Sequence, residues 1–224
     1  DMVTEVDRAS EALIVERIRV SRPSDGILGE EGASRDGTSG VRWVVDPLDG
    51  TTNFLYGFPA YAISIGVEVD GDVVAGVVHD AARGETFTAR RGGGAFRDGH
   101  PIHVSPQAQL PLALVGSGFG YDAAHRVRQA RVLAAILGDV RDLRREGSAA
   151  LDLCSVACGR LDAYFEGPLN PWDVCAGTLI VREAGGIARV RPIETGHSPG
   201  IMAAGPALFA AFEQLIDAAV ANAK

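Results

Sequence analysis

This sequence of 224 residues lacks the features that are typical of membrane proteins, secreted proteins and zinc-binding proteins. No apolar run approaches the roughly 20 residues that cross a membrane, and no secretory signal pattern is present. The three cysteines, Cys154, Cys158 and Cys175, lack the matching His/Cys cluster of a zinc site. We therefore expect buried free thiols in a reduced cytosol, and a cytoplasmic protein without a membrane partner.

Basic residues are also few relative to acidic ones. Lysine and arginine total 21 against 29 aspartates and glutamates, so the net charge is −8. Nonspecific nucleic-acid binding depends on neutralising phosphates, and we expect no nucleic-acid partner. An acidic pocket can still receive a phosphate substrate when bound divalent cations reverse the local sign of the charge.

Two further absences argue against a nucleophilic triad and against a P-loop. The histidines are dispersed, and His79 beside Asp80 has no nearby serine to complete a nucleophilic triad, so a structural role is expected. The three glycines at 92–94 lack the Lys-Ser/Thr that follows the glycines of a P-loop. They are interpreted as a hairpin or bulge.

The composition and hairpin signals predict the architecture. Hydrophobic residues make up 46% of the chain, enough for a substantial core. Successive turns between residues 58 and 101 predict an antiparallel meander, and alternating helices and strands later in the chain predict an α/β layer. No repeat or linker appears. We expect an α+β half at 1–110 and an α/β half at 111–224, in one compact unit.

The segment 41–54, V-R-W-V-V-D-P-L-D-G-T-T-N-F, is the most informative stretch. Its apolar start predicts a buried strand that stops at Asp46, and Thr51 or Thr52 then opens a short helix. Asp46 and Asp49 place two hard oxygen ligands beside a helix N-terminus, which suits Mg²⁺ and a phosphate group. The alternative is an Asx-turn with two solvated aspartates.

D-P-L-D-G-T-T-N-F resembles the central motif of the inositol monophosphatase family, the lithium-sensitive, magnesium-dependent phosphatases. G-E-E at residues 29–31 and W-D-V-C-A-G at residues 172–177 match further family motifs, in the family's order and spacing. V-T-x-x-D, G-S-A-A and D-A-Y-F-E, at residues 3–7, 147–150 and 162–166, also match. The resemblance covers essentially the whole chain. It implies a layered αβαβα sandwich with an antiparallel N-terminal sheet and a mixed C-terminal sheet.

Several of these residues also have ordinary structural interpretations. Asp7 can complete a capping box with Thr4 in a first helix whose expected apolar stripe comprises Val6, Leu13, Ile14 and Ile18. Glu30 can be solvated surface. Asp173 can cap the helix that it opens, and Ser148 can cap another.

The resemblance implies a role for each matching residue. The implied metal ligands, for two or three Mg²⁺ ions, are Glu30, Asp46, the Leu48 carbonyl, Asp49 and Asp173. The implied catalytic residues are Glu30 and Thr51, which orient the attacking water, and Asp7, which is linked to Thr51. The implied substrate-binding residues are Asp49, Gly50, Thr51, Ala149, Glu166 and Asp173.

The expected reaction is hydrolysis of inositol 1-phosphate by a metal-activated water, with no phosphoenzyme, in a homodimer. Alternatives within the superfamily are phosphatases for histidinol phosphate, fructose 1,6-bisphosphate or a 3′-phosphoadenosine nucleotide. A noncatalytic regulatory binding protein is the alternative from another class. The sequence begins at Asp1 without the family's upstream helix and basic residue, so we expect a preceding segment. Residues 191–199 receive no role.

Overall fold

A computed structural model describes residues 4–191 and 199–223, apart from the side chain of Arg191. These residues form six α-helices, one short 3₁₀ helix and thirteen β-strands. Every helix in this part of the chain is too short or too polar to span a bilayer. Most of the segment 191–199 lies outside the described residues.

The first helix, α1 (Glu5–Ser21), begins with the expected capping box. Thr4 caps the helix and the Asp7 carboxylate accepts a hydrogen bond from the Thr4 backbone N–H at 2.9 Å. The expected apolar stripe is partly wrong, because Val6 and Leu13 are exposed. The buried face carries the carboxylates of Asp7 and Glu11, and both make contacts beyond the helix that support the site described below.

Eight strands form the first sheet, in the order β2-β1-β3-β4-β5-β6-β7-β8. Their bounds are β1 (Gly26–Gly29), β2 (Ser34–Arg35), β3 (Val41–Asp49), β4 (Ala62–Val69), β5 (Asp72–Asp80), β6 (Glu85–Arg90), β7 (Ala95–Arg97) and β8 (His100–Pro101). The meander predicted for residues 58–101 is confirmed by β4 to β8, and β3 also pairs antiparallel with β4. β1 and β3 pair in parallel, because β2 folds back on the outer side of β1 before the chain returns on the other side.

The turn between β4 and β5 shows why the sequence predicts these hairpins well. Asp70 and Gly71 have φ angles of 51° and 90°. Two consecutive residues in the left-handed region match the twist of a tight hairpin, and Asp-Gly tolerates that conformation.

Strand β3 extends three residues beyond the predicted end at Asp46, and its pairing with β4 is irregular between Asp46 and Asp49. Pro47 has no N–H to donate to the ladder, so this strand segment bulges rather than stops. Gly50, at φ 93°, then turns the chain into the short helix α2 (Thr51–Leu55).

Five strands form the second sheet, in the order β10-β9-β11-β13-β12. Its strands are β9 (Leu114–Ser117), β10 (Asp142–Arg144), β11 (Ala163–Glu166), β12 (Ile187–Arg191) and β13 (Gly200–Ala204). β10, β9 and β11 run parallel, and β13 is antiparallel to both neighbours, so the predicted mixed sheet is confirmed. The remaining helices are α3 (Ala123–Ile136), α4 (Ala149–Ala157), α5 (Pro171–Glu183) and α6 (Pro206–Asn222).

The layers follow from which faces are buried. α4 and α5 share one core with strands of both sheets, and every residue of α4 is buried. α3 and α6 cover the other face of the second sheet, while α1 packs against β3 on the outer face of the first. The fold is the expected αβαβα sandwich. Its division at residue 110 stays a prediction.

Candidate active site

A cavity of about 240 Å³ lies where the end of β3, the start of α4 and the start of α5 meet. The predicted site residues that line it are Glu30, Asp46, Leu48, Asp49, Gly50, Thr51, Ala149, Glu166 and Asp173. The remaining predicted residue, Asp7, is fully buried behind Thr51. Residues that are distant in sequence are therefore brought to one place.

Thr51 is held by two acceptors. Its Oγ1 lies 3.0 Å from Asp7 Oδ1 and 3.0 Å from the Leu48 carbonyl oxygen. A hydroxyl has a single proton and two lone pairs, so donation to either acceptor leaves Oγ1 able to accept a hydrogen bond from the cavity. Asp7 thus both completes the capping box of α1 and is a partner of Thr51.

Gly50 is required by the turn before Thr51. A Cβ at this position would lie 2.8 Å from the Ala60 carbonyl oxygen, and its φ of 93° disfavours other residues. The backbone here therefore packs directly against Ala60, and Gly50 also lines the cavity.

Asp46 and Asp49 are fixed by backbone donors on two different elements. Asp46, 1% exposed, accepts from the Leu48 N–H at 3.0 Å. Asp49 Oδ2 accepts from Ser148 Oγ at 2.6 Å and from the Ala150 N–H at 2.7 Å. Ser148 also caps α4, as predicted. Asp49 therefore joins the end of a strand in the first sheet to the helix that carries the G-S-A-A segment.

Asp173 and Glu30 line the cavity, and hydrogen bonds hold the segments that carry them. Asp173 completes a capping box by accepting from the Asn170 N–H at 2.6 Å, and its side chain lines the cavity. The loop carrying Glu30 is held by Glu11, whose carboxylate accepts from the Glu31 and Ala33 N–H groups at 3.0 and 3.1 Å. Glu11 was not singled out from the sequence, because its partners lie about 20 residues away.

Burial of so many acids together changes their protonation. Burial raises the pKa of Glu30 to about 7, and burial reinforced by the charge of Asp49 raises the pKa of Asp173 to about 8. The pKa of Asp46 is raised well above its ordinary value by burial and by the charges of Asp49 and Glu30. The ionised forms of these groups therefore need cations nearby.

The donor set fits a divalent ion. Carboxylate and carbonyl oxygens are the hard ligands that Mg²⁺ takes, and the raised pKa values show that positive charge would stabilise the ionised cluster. As the side chains stand in the described residues, no three His, Cys, Asp or Glu side chains are arranged to hold one ion together. Binding by a set such as Asp46, Asp49 and Asp173 therefore requires side-chain adjustment.

Glu166 lies in the same cavity, at the end of β11. Its Oε2 accepts a hydrogen bond of 2.6 Å from the hydroxyl of the fully buried Tyr164. Burial raises the pKa of Glu166 to about 7, although the Tyr164 hydrogen bond opposes that rise. The carboxylate packs so closely on Gly118 that a Cβ there would lie 1.9 Å from Oε2. Its position is therefore tightly determined.

Further residues of the cavity lining were missed from the sequence, among them two aromatic residues and one arginine. Phe119 and Tyr121 lie on the loop that follows β9, and Arg145 follows β10. The polar tip after β9 gave a weak signal for that loop, since ligands often bind beyond strand ends. Arg145 gave none, because an arginine beside another arginine usually marks solvated surface.

The other chemical motifs have structural roles, as expected. His79 Nδ1 lies 3.0 Å from Thr86 Oγ1, and Asp80 pairs with Arg83 at 2.9 Å. The glycines at 92–94 form the turn between β6 and β7, where Glu183 accepts from the N–H groups of Gly92 and Gly94. All three cysteines are free. Cys154 and Cys175 are buried and Cys158 is half-buried.

Comparison with known proteins agrees with this arrangement. The model of the inositol monophosphatase family matches residues 1–209. The Inositol-1-monophosphatase SuhB of Mycobacterium tuberculosis (strain H37Rv) is 46% identical over 93% of this chain and 75% of its own. The Nus factor SuhB of Escherichia coli K12 is 44% identical, over 88% and 74%.

A solved structure gives the same result for the fold. Thermotoga maritima IMPase superposes with a TM-score of 0.90 at 33% identity, over 100% of this chain and 86% of its own. Family membership implies phosphatase chemistry that depends on a divalent metal, generally Mg²⁺. The chain belongs to the inositol monophosphatase family.

Proposed function

We propose that this protein hydrolyses phosphate monoesters, with inositol 1-phosphate as the preferred substrate. The observation that carries the proposal is the convergence of Glu30, Asp46, Asp49 and Asp173 on one cavity with the turn that begins α2. Carboxylates in this number and setting suit cation-assisted reaction at a phosphate group rather than direct anion binding by the protein. The name of the M. tuberculosis relative supports inositol 1-phosphate as the substrate.

Two groups of residues would hold Mg²⁺. Glu30, Asp46 and the Leu48 carbonyl would hold one ion, and Asp46, Asp49 and Asp173 a second, with a third, weaker ion near Glu30. Bound Mg²⁺ supplies Lewis acidity, offsets the charge of the phosphate and lowers the pKa of water.

The protein's own groups bind the reacting phosphate at the start of α2. Gly50 and Thr51 present backbone N–H groups there, and the left-handed conformation of Gly50 brings the backbone close. Asp46 is almost completely buried beside them. We therefore expect the phosphorus to lie beside Asp46 and Thr51.

Thr51 and Glu30 orient the attacking water. Thr51 donates its proton to Asp7 or to the Leu48 carbonyl, so Oγ1 accepts a proton of the water in a hydrogen bond. Glu30 lines the same cavity, and its carboxylate is suited to accept another. This geometry requires no covalent intermediate on the protein.

Glu166 and the first residues of α4 bind the alcohol part of the substrate. The Tyr164 hydroxyl occupies Oε2 of Glu166, and the carboxylate accepts a hydrogen bond from a substrate hydroxyl. The Ala149 backbone lies on the same wall. These contacts select the alcohol, whereas the metal ligands select the phosphate.

Phosphate release from a panel tests the proposal. The substrates are inositol 1-phosphate, histidinol phosphate, fructose 1,6-bisphosphate, 3′-phosphoadenosine 5′-phosphate and 2′-AMP, each with Mg²⁺, with EDTA, and with Mg²⁺ plus Li⁺. We expect Mg²⁺-dependent, lithium-sensitive turnover that is fastest on inositol 1-phosphate. A different best substrate would keep the chemistry and change the specificity. Folded, Mg²⁺-binding protein that releases no phosphate would favour a binding role, as the name of the E. coli relative suggests for that protein.

We further propose a cytoplasmic homodimer, as expected from the family. Sedimentation at micromolar protein concentration, with and without Mg²⁺, tests the dimer. A monomer under both conditions would contradict it.

A further inference from the structure

Asn53 closes a junction between three backbone segments beside the cavity. Its Nδ2 lies 2.7 Å from the Ala60 carbonyl oxygen, 2.8 Å from that of Glu146 and 3.4 Å from that of Gly147. An amide nitrogen carries two protons, so the two shorter contacts use both of them. The side chain is 8% exposed and belongs to α2, at whose start the phosphate is proposed to bind.

Two glycines let these segments meet without an intervening side chain. Gly147, at φ 87°, would place a Cβ 3.0 Å from Asn53 Nδ2. Gly50, at φ 93°, would place a Cβ 3.4 Å from the Gly147 carbonyl oxygen. Both φ angles lie in the region that glycine adopts readily. The turn before α2 therefore packs against the turn before α4, and the Asn53 amide ties the two together.

Asp49 makes a second link between the same two parts of the chain, but through an ionisable group. Its carboxylate accepts from Ser148 Oγ and from the Ala150 N–H. Because Asp49 is also a proposed Mg²⁺ ligand, the same carboxylate has to serve the ion in the loaded site. Asn53 is uncharged and lies outside the cavity lining, so its two hydrogen bonds are independent of the metal ligands.

The separation of the two turns matters because a substrate spans them. The phosphate is proposed to bind at the start of α2, and the alcohol part at the start of α4, where Ala149 lines the cavity. A ligand that touches both regions is sensitive to their separation, whereas inorganic phosphate needs only the first. Misplacement of reacting groups by about 1 Å can reduce a rate by about 100-fold.

We propose that Asn53 is a positioning residue that sets the separation between the phosphate-binding turn and the start of α4. This inference rests on the proposed phosphatase function. Asn53 acts through the backbone carbonyl groups of Ala60 and Glu146 rather than by touching the substrate. It thereby aligns the phosphate and the alcohol part of one substrate molecule.

Asn53→Leu tests the inference, because leucine is similar in shape and lacks both donors. We expect kcat/KM for inositol 1-phosphate with Mg²⁺ to fall about tenfold or more, since the two ends of the substrate no longer fit together. The inhibition constant of inorganic phosphate should stay within about threefold of the parent value. Ile136→Val, in the core under α3, controls for a general loss of stability and should leave both constants unchanged.

Hydrogen exchange gives a readout that does not depend on activity. In Asn53→Leu, the backbone amides at the start of α4 should exchange faster than in the parent, whereas those of α6 should not. Asn53→Ser leaves space for a water to replace the amide, so it should show a smaller change in the same direction. This milder variant keeps the test available where leucine prevents folding.

A parallel weakening of inorganic phosphate binding in Asn53→Leu would overturn the inference, because Asn53 would then support the phosphate site or the fold as a whole. Unchanged kcat/KM, or unchanged exchange at the start of α4, would overturn it as well. Failure of the phosphatase function is separately visible, because the parent protein would then release no phosphate from inositol 1-phosphate with Mg²⁺.

Discussion

The Thr51 hydroxyl lies 3.0 Å from the Asp7 carboxylate, across 44 residues of sequence. Asp7 is fully buried, and its other carboxylate oxygen caps α1 through the Thr4 N–H. One aspartate thereby completes the capping box of α1 and provides one of the two acceptors for the Thr51 proton. The cap and the proposed catalytic contact are compatible, although each seemed an alternative to the other from the sequence.

Replacement of Thr51 tests the acceptor role of its hydroxyl. Thr51→Val keeps the shape and removes the oxygen, and we expect kcat to fall about 10²- to 10³-fold, within the range for a group that handles a proton of the reacting water. Thr51→Ser keeps the oxygen and should stay within about tenfold of the parent. Steady-state phosphate release with inositol 1-phosphate measures both. Equal rates for the two variants would exclude the role.

Asp46→Asn tests the metal site without disturbing the fold. Burial and the charges of Asp49 and Glu30 raise the pKa of Asp46 well above its ordinary value, so the charge of Asp46 is unfavourable in the cation-free protein and asparagine removes that charge. We expect a Tm in EDTA close to that of the parent, loss of the rise in Tm that Mg²⁺ produces, and turnover reduced by more than about 100-fold.

The matched control is Asp36→Asn, an exposed aspartate outside the cavity lining. It should keep both the Mg²⁺-induced rise in Tm and the activity. Near-normal turnover of Asp46→Asn at saturating Mg²⁺ would remove Asp46 from the ligand set.

Much of the fold was predictable because its signals are local. Asp70-Gly71 needs only its own left-handed conformation, and Ser148 needs only the next turn of helix to act as a cap. The end of β3 was predicted wrongly for a related reason. The effect of Pro47 depends on whether β4 continues alongside, and pairing with β4 turns a strand end into a bulge.

The site was predictable only in part. Asp46 and Asp49 lie three residues apart, and their joint chemistry is visible in the sequence. Glu11 acts through partners that only the folded chain brings near, and Arg145 joins the cavity lining only once the chain has folded. Side-chain partnerships over long sequence distances leave no periodic pattern, so residue types alone could not identify these two.

Tyr164→Phe tests how Glu166 is positioned. The Tyr164 hydroxyl donates a hydrogen bond to Glu166 and opposes the rise of the Glu166 pKa to about 7. Glu166 should therefore keep its proton to a higher pH in the variant. We expect KM for inositol 1-phosphate at pH 7 to rise roughly three- to tenfold, kcat to change less, and KM to recover as the pH is raised. Glu166→Gln, which cannot titrate, is the reference. A loss in kcat with an unshifted pH profile of KM would indicate a merely structural role.

Asp25 links the end of α1 to β3 and gives a prediction for acid stability. Its carboxylate accepts from Arg22 Nε at 2.9 Å, from Trp43 Nε1 at 2.9 Å and from Ser39 Oγ at 2.7 Å. The hydrogen bond from Arg22, aided by the other two donors, lowers the pKa of Asp25 from 3.8 to about 2. The native state thus holds this group ionised where the unfolded chain would protonate it.

The sign of the pH effect follows from that depressed pKa. The stabilising contribution of Asp25 is complete above pH 3.8 and is lost as the pH falls towards about 2, because the unfolded state binds the proton first. Asp25→Asn should therefore lower the free energy of unfolding at pH 7 by about 2 kcal/mol, and this deficit should shrink between pH 4 and pH 2. Urea unfolding of Asp25→Asn and of the exposed control Asp36→Asn, across that range in EDTA, measures it. A deficit that stays constant down to pH 2 would mean that the ionised carboxylate is not what stabilises this corner.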